Sequence, residues 1–170
     1  MSATEDRVAV ADVVARLAHA QDDRDWDALR RLLADQVHLD LSGQSGATPV
    51  DLTAEELVDQ ARSVLEGFAS VHHATSPPLI EIDGGQATCR THVVAYHHVP
   101  TEGVDFCTMR GRWELGLHRS HGRWLVHRWA VVRTAPWEGS PEVYRIAAGR
   151  RNAPGGAVST CPHLATTGGD

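Results

Sequence analysis

The hydrophobic period of this 170-residue chain changes near residue 70, and that change limits the folds that it can adopt. Before residue 70, apolar residues recur at helical spacing; after it, they alternate with polar residues as on strands with one buried face. Helices followed by a run of strands, without internal repeats, indicate an α+β fold in which one curved antiparallel sheet wraps around the helices. With 42% hydrophobic residues, the chain can form one core of its own.

Three helices are predicted in the first part of the chain. The first covers residues 5–21, and the second is shorter and follows Asp25 as its N-cap. The third opens with a capping box formed by Thr53 and Glu56 and ends near Gly67.

The alternating pattern predicts a set of strands separated by short turns. Asp83-Gly84-Gly85 and Ser120-His121-Gly122 are typical of hairpin turns. The predicted strands are 37–41, 71–76, 79–83, 86–98, 106–118 and 123–135.

The chain divides into three predicted parts. Residues 1–139 form the α+β domain, and residues 140–149 form a short helix that begins at Ser140-Pro141. Residues 150–170 are small, polar and rich in glycine, which predicts a flexible tail.

Two adjacent histidines end the strand at 86–98, and neighbouring strand residues point to opposite faces. His97 shares its face with small and mostly apolar residues, whereas His98 shares the other face with Arg90. His97 is therefore predicted to point inward. The same count on 71–76 groups His73 with Val71 and Thr75, and this set is taken as the inward face of the strand.

The inward positions of several elements predict a cavity. The apolar face of 106–118 carries Trp113, so the cavity is expected to be lined by His73, His97, Trp113 and Leu41, with Trp26 and Trp129 nearby.

Composition excludes several classes of function. The net charge of −6 comes from interspersed charges, so no electrostatic footprint for nucleic acid is present. All 16 basic residues are arginine, which excludes Schiff-base lysines and a P-loop lysine. The N-terminus has no signal-peptide pattern, no apolar run is long enough to cross a membrane, and the three cysteines form no CxxC pair. These features predict a cytoplasmic protein with reduced thiols and no membrane association.

Residues 20–41 (AQDDRDWDALRRLLADQVHLDL), the histidine pair after the third helix, the long strand with His97 and the segment HGRWLVHRW resemble one protein group. This group is the SnoaL-like, scytalone dehydratase-like branch of the superfamily that includes ketosteroid isomerase, limonene epoxide hydrolase and nuclear transport factor. The resemblance covers roughly residues 5–137. It implies a cone-shaped α+β barrel, with three N-terminal helices packed in a curved, mostly antiparallel sheet.

The resemblance also implies three catalytic residues. Asp22 matches an acidic residue at the end of the first helix, and His73 matches the histidine that acts as general base in the dehydratase. His97 matches a second pocket histidine, which pairs with that aspartate. Asp22 beside His97 would raise the pKa of that ring and fix its tautomer, leaving His73 neutral as the base.

The sequence departs from the dehydratase pattern within the expected pocket. Gln21 and Leu41 replace pocket tyrosines, and Trp113 stands where the dehydratase has an asparagine. The tyrosine-held water of that enzyme is therefore not expected here. The expected substrate-binding residues are Leu41, Trp113, Trp129 and Trp26.

The resulting hypothesis is a cofactor-independent, metal-free lyase (dehydratase) or isomerase that acts on a hydrophobic, oxygenated ring compound such as a polyketide or steroid-like molecule. One alternative is an epoxide-opening hydrolase or cyclase, which an additional pocket carboxylate such as Asp40 or Glu114 would favour. A metal site built from the same three residues is another, although HxH and HExxH motifs are missing.

The last alternative is a non-catalytic ligand-binding dimer module, which a cavity filled by side chains would favour. In every case a homo-oligomer is expected, because the outer sheet face with His92, Tyr96 and His98 needs to be covered.

Overall fold

A computed structural model describes residues 2–151, which form five helices and eight strands. The helices are α1 (Ala3–Asp22), α2 (Trp26–Arg31), α3 (Ser42–Ser45), α4 (Ala54–Leu65) and α5 (Glu142–Arg151). The strands are β1 (Leu33–Asp40), β2 (Val50–Thr53), β3 (Ser70–Thr75), β4 (Leu79–Asp83), β5 (Gln86–His98), β6 (Phe106–Ser120), β7 (Arg123–Arg133) and β8 (Glu138–Gly139).

The strands form one curved sheet in the order β2-β1-β7-β6-β5-β3. Strand β4 also pairs with β5, and β8 pairs with β6. Within the described residues, β1 and β7 are parallel and the other paired strands are antiparallel. The helices pack against this sheet, which confirms the predicted α+β fold with a curved, mostly antiparallel sheet.

The local signals mark most boundaries correctly. Asp25 caps α2 by accepting a hydrogen bond from the backbone N–H of Ala28, and Thr53 and Glu56 form the predicted capping box of α4. In the β6–β7 hairpin, His121 and Gly122 both have positive φ, which the tightest right-twisted hairpin turns require.

Some boundaries differ from the sequence prediction. Strand β1 begins at Leu33 rather than residue 37, because α2 ends after a single turn and a half with Leu32 as its C-cap. The register of β1 on β7 then shifts between Leu33 and His38, so the alternation that reveals a strand is clear only after the shift. The short elements α3, β2 and β8 carry no pattern long enough to be recognised.

The interior contains two adjoining groups of buried side chains. The larger one joins α1 and α4 to the concave face of the sheet. The smaller one includes Phe68, Cys107, Val143 and Ala147, so that α5 packs on the end of the cone. The helix predicted at 140–149 is found at Glu142–Arg151, so Arg150 and Arg151 belong to the helix and not to the predicted flexible tail. The rest of that tail, residues 152–170, lies outside the described residues.

None of the helices in residues 2–151 is at once long enough and apolar enough to span a membrane.

Candidate active site

Asp22 and His73 form a direct hydrogen-bonded contact at the edge of the cone. Asp22 is the last residue of α1, and Nδ1 of His73 lies 2.7 Å from its Oδ1. The same carboxylate accepts the backbone N–H of His73, at 3.1 Å and 2.9 Å from its two oxygens. Strand β3 lies at one end of the sheet order, so this N–H has no further strand to pair with. Asp22 therefore fixes both the backbone and the ring of His73.

The inward direction of His73 follows from strand alternation. Its side chain is 7% exposed, whereas that of the neighbouring His72 is 71% exposed. His72 still lies near the same carboxylate, with its Nδ1 3.5 Å from Oδ2 of Asp22. The two histidines are adjacent in sequence, yet only His73 faces the interior.

The carboxylate of Asp22 is held in its charged form. Partial burial by itself raises the pKa of Asp22, but the hydrogen bonds from the ring and backbone of His73 and the nearby charge of the imidazole outweigh it. The net result is a pKa below the ordinary value for aspartate. When neutral, His73 donates its Nδ1–H to this carboxylate, and Nε2 is then the ring nitrogen that can accept a proton.

His97 is buried beside His73 but does not pair with Asp22. The two imidazole rings meet edge to face, with centroids 5.6 Å apart. Nδ1 of His97 lies 3.2 Å from the hydroxyl oxygen of Tyr144 on α5. Burial, with a smaller contribution from the neighbouring His73, lowers the pKa of His97 to about 3, although the charge of Asp22 acts in the opposite direction.

The predicted pairing of Asp22 with His97 is therefore wrong. Sequence periodicity gives the face of each histidine, but the partner depends on how α1 docks on the sheet. The end of α1 lies against β3, where the unpaired backbone N–H of His73 attracts the carboxylate. His97 lies on the neighbouring strand β5, opposite Val71 rather than opposite His73.

The two histidines line a cavity of about 160 Å³. Leu41, Trp113 and Trp129 belong to its wall, as the sequence predicted, and the rings of Trp113 and Trp129 meet edge to face at 5.2 Å. Trp26 is not part of this wall, so its predicted role in the pocket is wrong. It packs between the two core groups, and the guanidinium of Arg62 lies 5.8 Å from the centre of its ring.

The family model described as the SnoaL-like domain matches residues 2–130 of the chain. The chain belongs to the SnoaL-like domain family. The matched segment includes Asp22, His73 and His97. It also includes strands β1 to β6 and most of β7, whereas the last residues of β7 and both residues of β8 lie beyond it. Among curated proteins, none matches this SnoaL-like chain.

Solved structures share the fold of this SnoaL-like protein at low sequence identity. The Kfla4162 protein from Kribbella flavida has a TM-score of 0.77 and 22% identity, over 86% of this chain and 99% of its own. A protein from Novosphingobium aromaticivorans, assigned provisionally as a scytalone dehydratase, has a TM-score of 0.69 and 17% identity, over 81% and 89%. The type 2 hexachlorocyclohexane dehydrochlorinase LinA has a TM-score of 0.70 and 15% identity, over 81% and 90%.

Several cavity residues of the SnoaL-like fold were not predicted from the sequence. Tyr144 reaches the cavity from α5, beyond the segment that matches the family, and Gln44, Gln60 and Met109 also contribute to the wall. Met109 lies on the predicted inward face of β6 and could have been found by the same alternation as Trp113. Gln44, Gln60 and Tyr144 lie in the three helices α3, α4 and α5, and the sequence carries no local signal for how these helices dock on the sheet.

The carboxylates expected to favour epoxide opening lie elsewhere. Asp40 accepts hydrogen bonds from the backbone N–H and hydroxyl of Ser42, and Glu114 pairs with Arg112. Neither belongs to the cavity wall. Within residues 2–151, no group of three or more histidine, cysteine, aspartate or glutamate side chains is placed to hold a metal ion.

Proposed function

We propose that this protein is a cofactor-independent lyase that eliminates a small leaving group, such as hydroxide or halide, from a predominantly hydrophobic substrate with a single ring. The observation that carries the proposal is the 2.7 Å contact between Asp22 and Nδ1 of His73 beside the cavity. This contact leaves Nε2 of a buried histidine as a base, and a fixed carboxylate stabilises the charge that the ring gains.

The proposed reaction breaks one C–H bond and one C–X bond and forms a C=C bond. His73 takes the proton on Nε2, and the electron pair of the C–H bond becomes the new π bond. The leaving group departs with the electrons of the C–X bond. Asp22 stabilises the imidazolium of His73, which later releases its proton to solvent or to the leaving group. A positioned base of this kind contributes about 10²–10⁴ in rate.

Two structural neighbours support elimination over other chemistries. LinA is named as a dehydrochlorinase, and the N. aromaticivorans protein is assigned provisionally as a dehydratase. Both names denote the loss of a small molecule from a substrate. At 15% and 17% identity these neighbours support the class of reaction only, and the residues that carry it are argued from this chain.

The size and lining of the cavity favour a substrate with one ring. A volume of about 160 Å³ is close to that of a cavity of roughly 150 Å³ that accommodates benzene. Leu39, Leu41, Trp113 and Trp129 give an apolar wall, and Gln44 and Gln60 supply polar groups. A polyketide or steroid with several fused rings would extend beyond this space.

The test is turnover of a panel of single-ring β-hydroxy ketones and chlorinated cyclohexanes, followed by the absorbance of the new conjugated double bond or by chloride release. We expect His73→Gln to lower the kcat of any turned-over compound by about 10²–10⁴. The matched control is His72→Gln, which changes the exposed histidine of the same strand and is expected to keep near wild-type activity. Equal activity of His73→Gln and wild type, or the same loss in both variants, would contradict the proposal.

A further inference from the structure

The C-terminal helix α5 is built into the wall of the cavity. Gly67 allows this close approach, because a Cβ at that position would lie 1.9 Å from the carbonyl oxygen of Ala147. Val143 and Ala147 are fully buried against the smaller core group. These contacts hold the intervening residue, Tyr144, at a fixed position over the end of the cone.

Tyr144 packs on aromatic rings and contacts His97 through its hydroxyl. Its ring centre lies 5.2 Å from that of Phe68, edge to face, and 5.2 Å from that of His97. Its hydroxyl oxygen is 3.2 Å from Nδ1 of His97. Among the described residues, no other hydrogen-bond partner contacts either of these two polar atoms.

The protonation states of Tyr144 and His97 follow from the burial of both side chains. Burial raises the pKa of Tyr144, so its hydroxyl keeps its proton. Burial also lowers the pKa of His97, so its ring is neutral near pH 7. A neutral imidazole has one N–H and one acceptor nitrogen, and a phenol donates readily to such an acceptor.

We propose that Tyr144 is a positioning residue for His97: its hydroxyl donates to Nδ1, which places the ring proton on Nε2 as a neutral hydrogen-bond donor to a substrate oxygen or leaving group in the cavity. The catalytic part of this inference rests on the elimination proposed above. It gives the two histidines different tasks, since His73 accepts a proton and His97 donates a hydrogen bond without becoming charged.

The tautomer of His97 can be measured in the free protein, independently of any substrate. Long-range ¹H–¹⁵N correlation spectra of ¹⁵N-histidine-labelled protein near pH 7 distinguish a protonated Nε2 from a protonated Nδ1. We expect His97 to carry its proton on Nε2 in the wild type and to become a mixture of tautomers in Tyr144→Phe, which keeps the ring but removes the hydroxyl. A proton on Nδ1 in the wild type, or an unchanged spectrum in Tyr144→Phe, would overturn the inference.

The chain offers a matched control because it contains only two tyrosines. Tyr96 precedes His97 on β5 but lies on the opposite face, where it stacks on Phe106. Tyr96→Phe is therefore expected to leave the spectrum of His97 unchanged. If no compound is turned over, the proposed elimination is wrong, but the result for the tautomer of His97 is unaffected. If the tautomer is wrong, the proposed role of Tyr144 is wrong, but the role of His73 as a base can still be tested.

Discussion

At the scale of single residues, the carboxylate of Asp22 has two separable effects on His73. It holds the backbone N–H of that residue, which is structural, and it faces Nδ1 of the ring, which is electrostatic. An asparagine can still accept the backbone N–H through its amide oxygen, but it carries no negative charge to stabilise an imidazolium. Substitution at this position therefore separates folding from chemistry.

We expect Asp22→Asn to fold and to lower kcat by about 10² or more. Thermal unfolding checks the fold, and steady-state kinetics on a compound from the panel checks kcat. The control is Asp23→Asn, because Asp23 is the exposed C-cap residue of α1. An unchanged kcat in Asp22→Asn would show that the carboxylate has no part in the reaction.

The lowered pKa of His97 predicts that the stability of the protein depends on pH. Its folded-state pKa of about 3 lies below the ordinary value of 6.5, so between these pH values the unfolded chain binds a proton that the folded chain does not. The contribution of the neutral His97 ring to the free energy of unfolding is therefore present in full above pH 6.5. It is lost as the pH falls toward 3, by at most about 1.4 kcal/mol per pH unit.

Urea unfolding of the wild type and His97→Gln between pH 7 and 4 measures this contribution. We expect the wild type to lose stability more steeply than the variant as the pH falls, and the two slopes to agree above about pH 7. His127, whose pKa is also lowered by burial, is present in both proteins and cancels in the comparison. Parallel curves over the whole range would contradict the buried, neutral state of His97.

The sequence predicts faces better than partners. Alternation on β3 and β5 is sufficient to place His73 and His97 inside, since a strand has a period of two. It does not specify which of them meets Asp22, because that depends on where the end of α1 lies on the sheet. The prediction that Trp26 lines the pocket is wrong for a similar reason. The size of its side chain predicts burial, but it does not specify which elements the side chain packs between.

At the scale of secondary-structure elements, the close packing of α5 against the end of α4 depends on one glycine. A glycine near the end of a helix predicts a C-cap in the left-handed region, yet Gly67 is not among the glycines with positive φ. Its function is the close approach of α5, a contact between residues about 80 positions apart that no local pattern reveals. The cavity role of Tyr144 could not be predicted for the same reason.

We expect Gly67→Ala to destabilise the protein by about 1–3 kcal/mol, because the added Cβ overlaps the backbone of Ala147. The control is Gly149→Ala in α5, where the added Cβ meets no atom within 4 Å and alanine favours the helix by up to about 1 kcal/mol. Urea unfolding gives both values, and hydrogen exchange of the α5 amides shows whether this helix loosens. Wild-type stability and exchange in Gly67→Ala would refute this account of the helix contact.

At the scale of the whole molecule, the outer face of the sheet is open in the single chain. Val94 on β5 is 40% exposed on the face that carries His92 and Tyr96, and Leu79 on β4, paired with Arg90 of β5, is 66% exposed. Apolar residues that lie together on one exposed sheet face can form the patch that another subunit covers. We therefore expect a homo-oligomer formed through this face.

Light scattering coupled to size-exclusion chromatography measures this state. We expect the wild type to elute as an oligomer and Val94→Glu to shift toward the monomer, because a charge at the contact opposes burial. A wild type that remains monomeric at high concentration would exclude this interface.

The central claim is that His73 removes a proton from the substrate, and rescue of His73→Ala by added imidazole tests it most directly. We expect this variant to lose about 10²–10⁴ of kcat, and to recover part of it as a saturable function of the imidazole concentration, because free imidazole can occupy the vacated volume and act as the base. His72→Ala should lose little activity and should not respond to imidazole. Near wild-type turnover of His73→Ala without imidazole would contradict the account.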